Sequence, residues 1–390
     1  MKGTINDVYV VAYGRSAIGR SGKKGALRNM HPVELGGRVL EGILKKIPQL
    51  STDDIEDVIV GCAQPEGMQG YNMSRLIAFR AGLGHGVPGM TINRFCSSGL
   101  QSIAIAASMI TSGQSDVIVA GGVESMSTIP MFGDVTPISE AGVREIEVGA
   151  YMPMGLTAEN VAANYGLTRE ELDAMAVESH RKAAVAQDAG KFDGEIIPLD
   201  GVDDDGNPII FDKDQGIRRN VTMESLSQLK TVFKEDGVVT AGSSSQTSDG
   251  AAFVVLMSRG KVEELGIKPI AKFIGFQVAG CDPSLMGLGP MYAVPKVMKK
   301  TGLTVNDMDV VEINEAFAAQ AIPCINELKF DLNKVNPNGG ALALGHPLGA
   351  TGAVLSCKAL SELERNGGKY ALVTMCIGGG MGAAGIYEKC

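Results

Sequence analysis

The chain has 390 residues, 45% of them hydrophobic and 20% charged, a composition that builds a large buried core in two or three domains and marks the chain as globular rather than disordered. A formal charge of −9, no tryptophan and 5% aromatic residues exclude the basic, stacking surfaces that hold nucleic acid. Seven cysteines without CxxC or metal-ligand spacing exclude a disulfide scaffold and a zinc site, and the absence of a leader-like apolar region or a bilayer-length apolar run implies a cytoplasmic protein with no membrane span.

Residues 7–13 (DVYVVAY) predict a strand, residues 33–46 an amphipathic helix, residues 53–62 a loop leading into a second buried strand, and residues 73–81 a second helix. Residues 91–99 (TINRFCSSG) then place Cys96 at the start of a small-residue helix, 100–110. A thiol there meets unpaired N–H groups and the positive helix end, so a lowered pKa and a reactive thiolate are expected. The alternative is a small hydrophobe filling a helix start. Residues 116–120 (DVIVA) form a third strand that ends in Gly121-Gly122.

From 125 to 245 the texture changes. Residues 126–137 are rich in Met and Pro, 169–188 read as an acidic helix and 202–211 as a polar hairpin, so an inserted lobe is expected. Residues 249–258 return to a buried strand, and a second α/β unit begins near 269. The domain reading is therefore 1–124 for the first part of an N-terminal half, 125–245 for the lobe, 246–268 for the return to that half and 269–390 for a C-terminal half.

The two units look duplicated. The run Asp53-Asp54-Ile55-Glu56-Asp57-Val58 recurs as Asn306-Asp307-Met308-Asp309-Val310, aligning Asp57 with Asp309. Cys96 follows its anchor at nearly the distance at which His346 follows the other, and strand 370–374 matches strand 116–120. A pseudo-twofold would then bring Cys96 and His346 together. Of the four histidines only His346 sits among glycines and a proline that fix its backbone, and it can serve the thiol as base. Strand 370–375 delivers Cys376 into Ile377-Gly378-Gly379-Gly380-Met381-Gly382. The GxGxxG match at 380–385 is rejected as a dinucleotide site, because too little chain follows it for a βαβ unit. Bare glycine N–H groups beside a cysteine suit an oxyanion hole instead. Asn314-Glu315-Ala316-Phe317 ends another strand, where Asn314 can donate to a ligand and Glu315 is either a base or a helix-start charge. Two cysteines, a histidine, an asparagine and a glycine nest suit acyl transfer through a thioester.

Across essentially its whole length the chain resembles the thiolases. The motifs are INRFCSSGLQS around Cys96, AGGVESMS at 120–127, NEAFA at 314–318, NGGALALGHPLGATGA at 338–353 and MCIGGGMGAAGIYE at 375–388. The resemblance implies duplicated α/β halves in a layered αβαβα core with an inserted coenzyme A lobe. It implies that Cys96 is acylated, His346 activates it and Cys376 exchanges the α-carbon proton. Asn314, through a water, and His346 would form one oxyanion hole, and the N–H groups of Cys96 and Gly378 the other. Arg218, Ser225, Phe233 and Ser245 resemble coenzyme A contacts, and Met154, Met286 and Phe317 resemble the acyl and pantetheine tunnel. Coenzyme A and acyl-CoA are substrates, no further cofactor or metal is implied, and a homodimer or homotetramer is expected, with the apolar third strand as a candidate for pairing across a twofold.

Two positions depart from the short-chain pattern. Pro153 stands before Met154-Gly155 where biosynthetic members carry His, which favours a 3-ketoacyl-CoA thiolase over an enzyme restricted to acetoacetyl-CoA. Ser243 stands where asparagine is commoner. A fatty-acid or polyketide condensing enzyme would lack Cys376, a noncatalytic acyl-CoA carrier would lack one of Cys96, His346 or Cys376, and a Cys/His hydrolase would pass the acyl group to water.

Overall fold

The computed structural model describes residues 7–131, 133 and 140–390. Part of the Met- and Pro-rich stretch expected at 126–137 thus lies outside the described residues.

In chain order the first half comprises β1 (Val8–Arg15), β2 (Gly19–Arg20), α1 (Pro32–Leu44), β3 (Asp57–Gly61), α2 (Met73–Arg80), β4 (Gly89–Ile92), α3 (Ser98–Thr111) and β5 (Val117–Ser125). Then follow α4 (Ala141–Ile146), α5 (Met154–Tyr165), α6 (Arg169–Asp188), the hairpin β6 (Leu199–Val202) and β7 (Pro208–Phe211), and α7 (Met223–Ser227). The chain returns through β8 (Ser248–Ser258) and α8 (Arg259–Leu265). The second half holds β9 (Ala271–Gly280), α9 (Gly289–Thr301), β10 (Val310–Ile313), α10 (Ala318–Glu327), α11 (Ala341–Leu344), α12 (Thr351–Asn366), β11 (Tyr370–Ile377) and β12 (Met381–Lys389).

The strands follow one path, β10-β11-β12-β9-β1-β8-β5-β3-β4. It is pinched at its middle, where β1 and β9 share only the pairs Tyr9↔Lys272 and Val10↔Ala271. Each side is a sheet of its own half. Helices α3 and α12 lie between the two sheets, α1 and α2 cover the outer face of one and α9 that of the other, giving five layers. Strands β5 and β8 are buried along their whole length, their mostly apolar and small residues covered on both faces.

Two glycines set the closeness of the central layer. A Cβ on Gly99 would stand 2.8 Å from the Ala353 nitrogen, and one on Gly352 would collide with the Leu100 nitrogen. Both glycines are the second residue of their helices, so the duplication is visible in the packing. The register differs from expectation by one residue. Glu56 accepts from the Asp116 and Val117 N–H groups as Asp309 accepts from Lys369 and Tyr370, so Glu56, not Asp57, matches Asp309.

Two further expectations are corrected. Strand β5 does not end at Gly121-Gly122 but runs through them to Ser125; a Cβ on Gly122 would stand 2.8 Å from Ala350 Cα, so the glycine admits the turn that follows His346. Nor can residues 116–120 pair across a twofold, because β5 is hydrogen-bonded to β3 on one side and β8 on the other. The edge strands are β4 and β10, and the outer side of β10 is taken by residues 334–336, with Val311 N donating to Lys334 O and Asn336 N to Val311 O, which leaves β4 as the open edge.

Candidate active site

Cys96 lies in a single 3-10 turn, Phe95–Ser97, between edge strand β4 and helix α3, two residues before the α-helix begins. Phe95 adopts a left-handed backbone, φ 43°, costly for an aromatic residue. Asn93 holds it there: its Oδ1 accepts from Phe95 N at 2.7 Å and its Nδ2 donates to Ala63 O at 3.1 Å. Ser98 closes the turn from the other side, accepting from Arg94 N and donating to Phe95 O.

Cys96 is only 9% exposed. Burial pushes its thiol up to about 11, outweighing hydrogen bonds from the Gly378 N–H and from its own N–H. This corrects the expected lowering: the dipole at a helix start is a weaker influence than loss of solvent around a closed thiol. Cys376, at the end of β11, is fully buried, and its thiol is held well above the usual range by burial and next by Cys96. Gly378 stands just past it. A Cβ there would meet Met154 Sδ at 3.6 Å and Phe95 Cδ2 at 3.8 Å, so its open face borders a space walled by those two side chains.

His346 comes from the opposite half. Its backbone N–H donates to Gln246 O at 3.1 Å and Ser248 Oγ at 3.2 Å, fixing the loop against the start of β8. Nδ1 lies 2.6 Å from Thr351 Oγ1. If that nitrogen carries the proton, Nε2 keeps its lone pair for a thiol. Burial pulls the ring down to about 4, so it is neutral at physiological pH. Asn314 Nδ2 lies 3.4 Å from Nε2 and 3.5 Å from Nδ1, alongside the ring rather than bonded to one nitrogen. Its Oδ1 is buried without a partner among the described residues. The turns at 95–97 and 348–350 pack against each other, so the nucleophile turn and the histidine loop do meet.

Glu315 is neither a base nor a simple helix-start charge. Its carboxylate accepts from Ser179 Oγ at 2.6 Å, Asn336 Nδ2 at 2.7 Å and Leu342 N at 3.3 Å, away from the thiols, and clamps the loop that leads to His346.

The expected tunnel residues divide into two groups. Met286 and Cys376 share one buried cluster, with Met154 and Phe317 packed against it. Phe233 lies edge-on to Phe317 at 6.0 Å, and Ser245 N donates to Ala316 O. Arg218 and Ser225 stand apart on the exposed side of the lobe. The Ser225 hydroxyl is engaged in the reciprocal cap of α7 with Thr222. Ser243 is buried and closes the turn at Thr240, while its carbonyl accepts from Ala318 N, so the loop keeps its form with serine.

Sequence reasoning passed over three side chains. His180, one of the three histidines given no role, accepts from Arg218 N at 3.0 Å, and burial, with Arg218 beside it, pulls it down to about 4. Thr351 orients the His346 ring. Glu124 was quoted within a motif without a role; the signal was an acid inside a strand otherwise made of apolar and small residues. Among the described residues no group of three His, Cys, Asp or Glu side chains is placed to hold a metal ion.

Residues 8–260 match the family model described as "Thiolase, N-terminal domain", and residues 267–389 the one described as "Thiolase, C-terminal domain". A "3-ketoacyl-CoA thiolase" of Bacillus subtilis is 48% identical, covering 99% of this chain and 100% of its own. An "Acetyl-CoA acetyltransferase" of Chromobacterium violaceum is 43% identical, covering 98% and 100%. The crystal structure of human mitochondrial 3-ketoacyl-CoA thiolase superposes with a TM-score of 0.91 at 36% identity, over 100% of both chains.

Proposed function

Because the chain belongs to the thiolase family, we propose that it transfers acyl groups between Cys96 and coenzyme A, cleaving 3-ketoacyl-CoA to acetyl-CoA and a shortened acyl-CoA, or running the reverse Claisen condensation. One observation carries the reading: four separated segments deliver Cys96, Asn314, His346 and Cys376 with Gly378 to one closed place spanning both halves.

In the cleavage direction Cys96 attacks the 3-keto carbon as its proton passes to His346. With a thiol near 11 and an imidazole near 4, no ion pair waits in the free protein; the proton moves as the tetrahedral oxyanion forms. The N–H groups of Cys96 and Gly378, already directed at the sulfur, would receive that oxyanion. The bond between the α- and keto-carbons then breaks, leaving an acyl thioester on Cys96 and the enolate of acetyl-CoA. Asn314 and His346 would hold the enolate oxygen, and Cys376 would supply its α-proton. Coenzyme A then takes the acyl group from Cys96. An α-proton of a thioester is weakly acidic, so stabilisation at the two oxygens must carry much of the barrier.

We assign the acyl and pantetheine path to Met154, Met286 and Phe317 with Phe233 and Ser245 alongside, and the distal part of coenzyme A to Arg218 and Ser225. Coenzyme A is a substrate and no other cofactor is required. Pro153, which caps α5 in front of Met154, supports the broader 3-ketoacyl-CoA range; an enzyme confined to acetoacetyl-CoA is the second reading, consistent with the acetyltransferase name among the relatives. Homo-oligomers would pair through the free edge of β4. Molar mass by light scattering tests this, and a monomer at micromolar concentration would refute it. Seven free cysteines support a reducing, cytoplasmic setting, and no helix among the described residues is long and apolar enough to cross a membrane. Thiolytic cleavage with a Cys96→Ala control tests the function itself.

A further inference from the structure

Glu124 is fully buried at the end of β5 and pairs with no lysine, arginine or histidine among the described residues. Polar N–H groups surround it instead. Oε2 accepts from Ala63 N at 2.7 Å and Gly349 N at 2.8 Å; Oε1 accepts from Gln69 Nε2 at 2.8 Å and Gln64 N at 3.2 Å, with the Cys62 thiol at 3.6 Å. Burying an uncompensated carboxylate is costly even when every lone pair is filled, so what the group joins matters.

It joins the two catalytic loops. Ala63 is the residue whose carbonyl holds Asn93, and Asn93 holds Phe95 in its left-handed turn, immediately before Cys96. Gly349 lies between His346 and Thr351, the residue that orients the imidazole. One carboxylate oxygen therefore bonds to the support of the nucleophile on one half and to the loop of the base on the other. The fit is tight, since a Cβ on Gly349 would stand 2.5 Å from Ala63 N.

Resting on the acyl-transfer reading above, we propose that Glu124 is a positioning residue that clasps the Cys96 turn to the His346 loop and fixes the approach of thiol to imidazole. Burial is the main cause that raises the Cys96 thiol, and the Glu124 carboxylate adds to that rise as the smallest contribution. Reach and charge can thus be separated. Glu124→Asp keeps the charge but is a methylene too short to meet both Ala63 and Gly349. Glu124→Gln keeps the reach, removes the charge and turns an amide N–H toward N–H donors.

The test compares kcat and KM for thiolysis with the rate of Cys96 alkylation by iodoacetamide at pH 9. Both variants should lose about a hundredfold in kcat, the scale of an ångström misplacement, with KM within about threefold of the parent. Glu124→Gln should nevertheless alkylate several times faster, because the thiol becomes more acidic, whereas Glu124→Asp should not. A general loosening of the fold would expose the buried thiol and speed alkylation in both variants, so the contrast between a faster Glu124→Gln and an unaccelerated Glu124→Asp, each slowed in kcat, separates positioning and charge from loosening. Folded variants with kcat within about threefold of the parent overturn the proposal, as does slower alkylation in Glu124→Gln. Should neither variant fold, exposed Asn93→Ala cuts the nucleophile side of the clasp alone, and unchanged kcat there overturns it equally. If the parent chain shows no thiolysis the acyl-transfer reading fails, while the alkylation arms still decide whether Glu124 acts on Cys96.

Discussion

Raising the pH across the neutral range should change the reactivity of Cys96 in a way that separates a buried thiol from an activated one. With its value pushed to about 11 by burial, about one Cys96 in a thousand is ionised at pH 8, against about one in four for a free cysteine of pKa about 8.5. Alkylation by iodoacetamide, followed site by site with mass spectrometry, should therefore rise about tenfold per pH unit from 7 to 10 without levelling off. His346, held near 4 by burial, adds no step between pH 5 and 9, because it is neutral throughout. Acylation by a 3-ketoacyl-CoA should be far less steep, since proton transfer to His346 accompanies attack. An alkylation plateau below pH 8 would refute the reasoning and restore a preformed thiolate.

Three further outcomes follow from the same geometry. Asn314→Ala should lower kcat about 10²–10³-fold with little change in KM, as expected for a lost donor at an oxyanion; steady-state thiolysis checks it. Lys358→Met should cost about 3–5 kcal/mol at pH 8, since it strands buried Glu312, which the lysine meets at 2.6 Å. Burial already raises Glu312 to about 7 from its ordinary 4.5, so the folded protein takes up that proton more readily than the unfolded chain. The loss should accordingly be smaller at pH 5 and grow as pH rises through 7, which urea titrations at the two pH values would show. Gly352→Ala pushes a methyl group into the Leu100 backbone and should cost about 1–3 kcal/mol while slowing acylation, read by thermal melting and single-turnover kinetics.

The parts legible in the sequence were those carried by local chemistry. The acidic helix read at 169–188 is α6, begun by a Thr168–Glu171 capping box, and the polar hairpin read at 202–211 is β6–β7. The repeat of acidic turn, strand and small-residue helix announced the two halves, and with them the meeting of Cys96 and His346. What escaped was set by tertiary surroundings. Gly121 and Gly122 read as a strand end, yet they are glycines because other backbones press on them. The apolar run at 116–120 read as available for pairing, although a central strand and an edge strand look alike in one dimension. The pKa of Cys96 followed burial rather than its helix, and Glu124 could be recognised only once Ala63 and Gly349, far apart in sequence, stood on one oxygen.

Thiolysis of acetoacetyl-CoA and of a longer 3-ketoacyl-CoA, side by side with coenzyme A as acceptor and Cys96→Ala as control, tests the central claim most directly. Comparable turnover of both by the parent chain, abolished in Cys96→Ala, is the predicted result. Turnover of acetoacetyl-CoA alone would contradict the broad range drawn from Pro153, and no turnover of either by folded protein would contradict acyl transfer altogether.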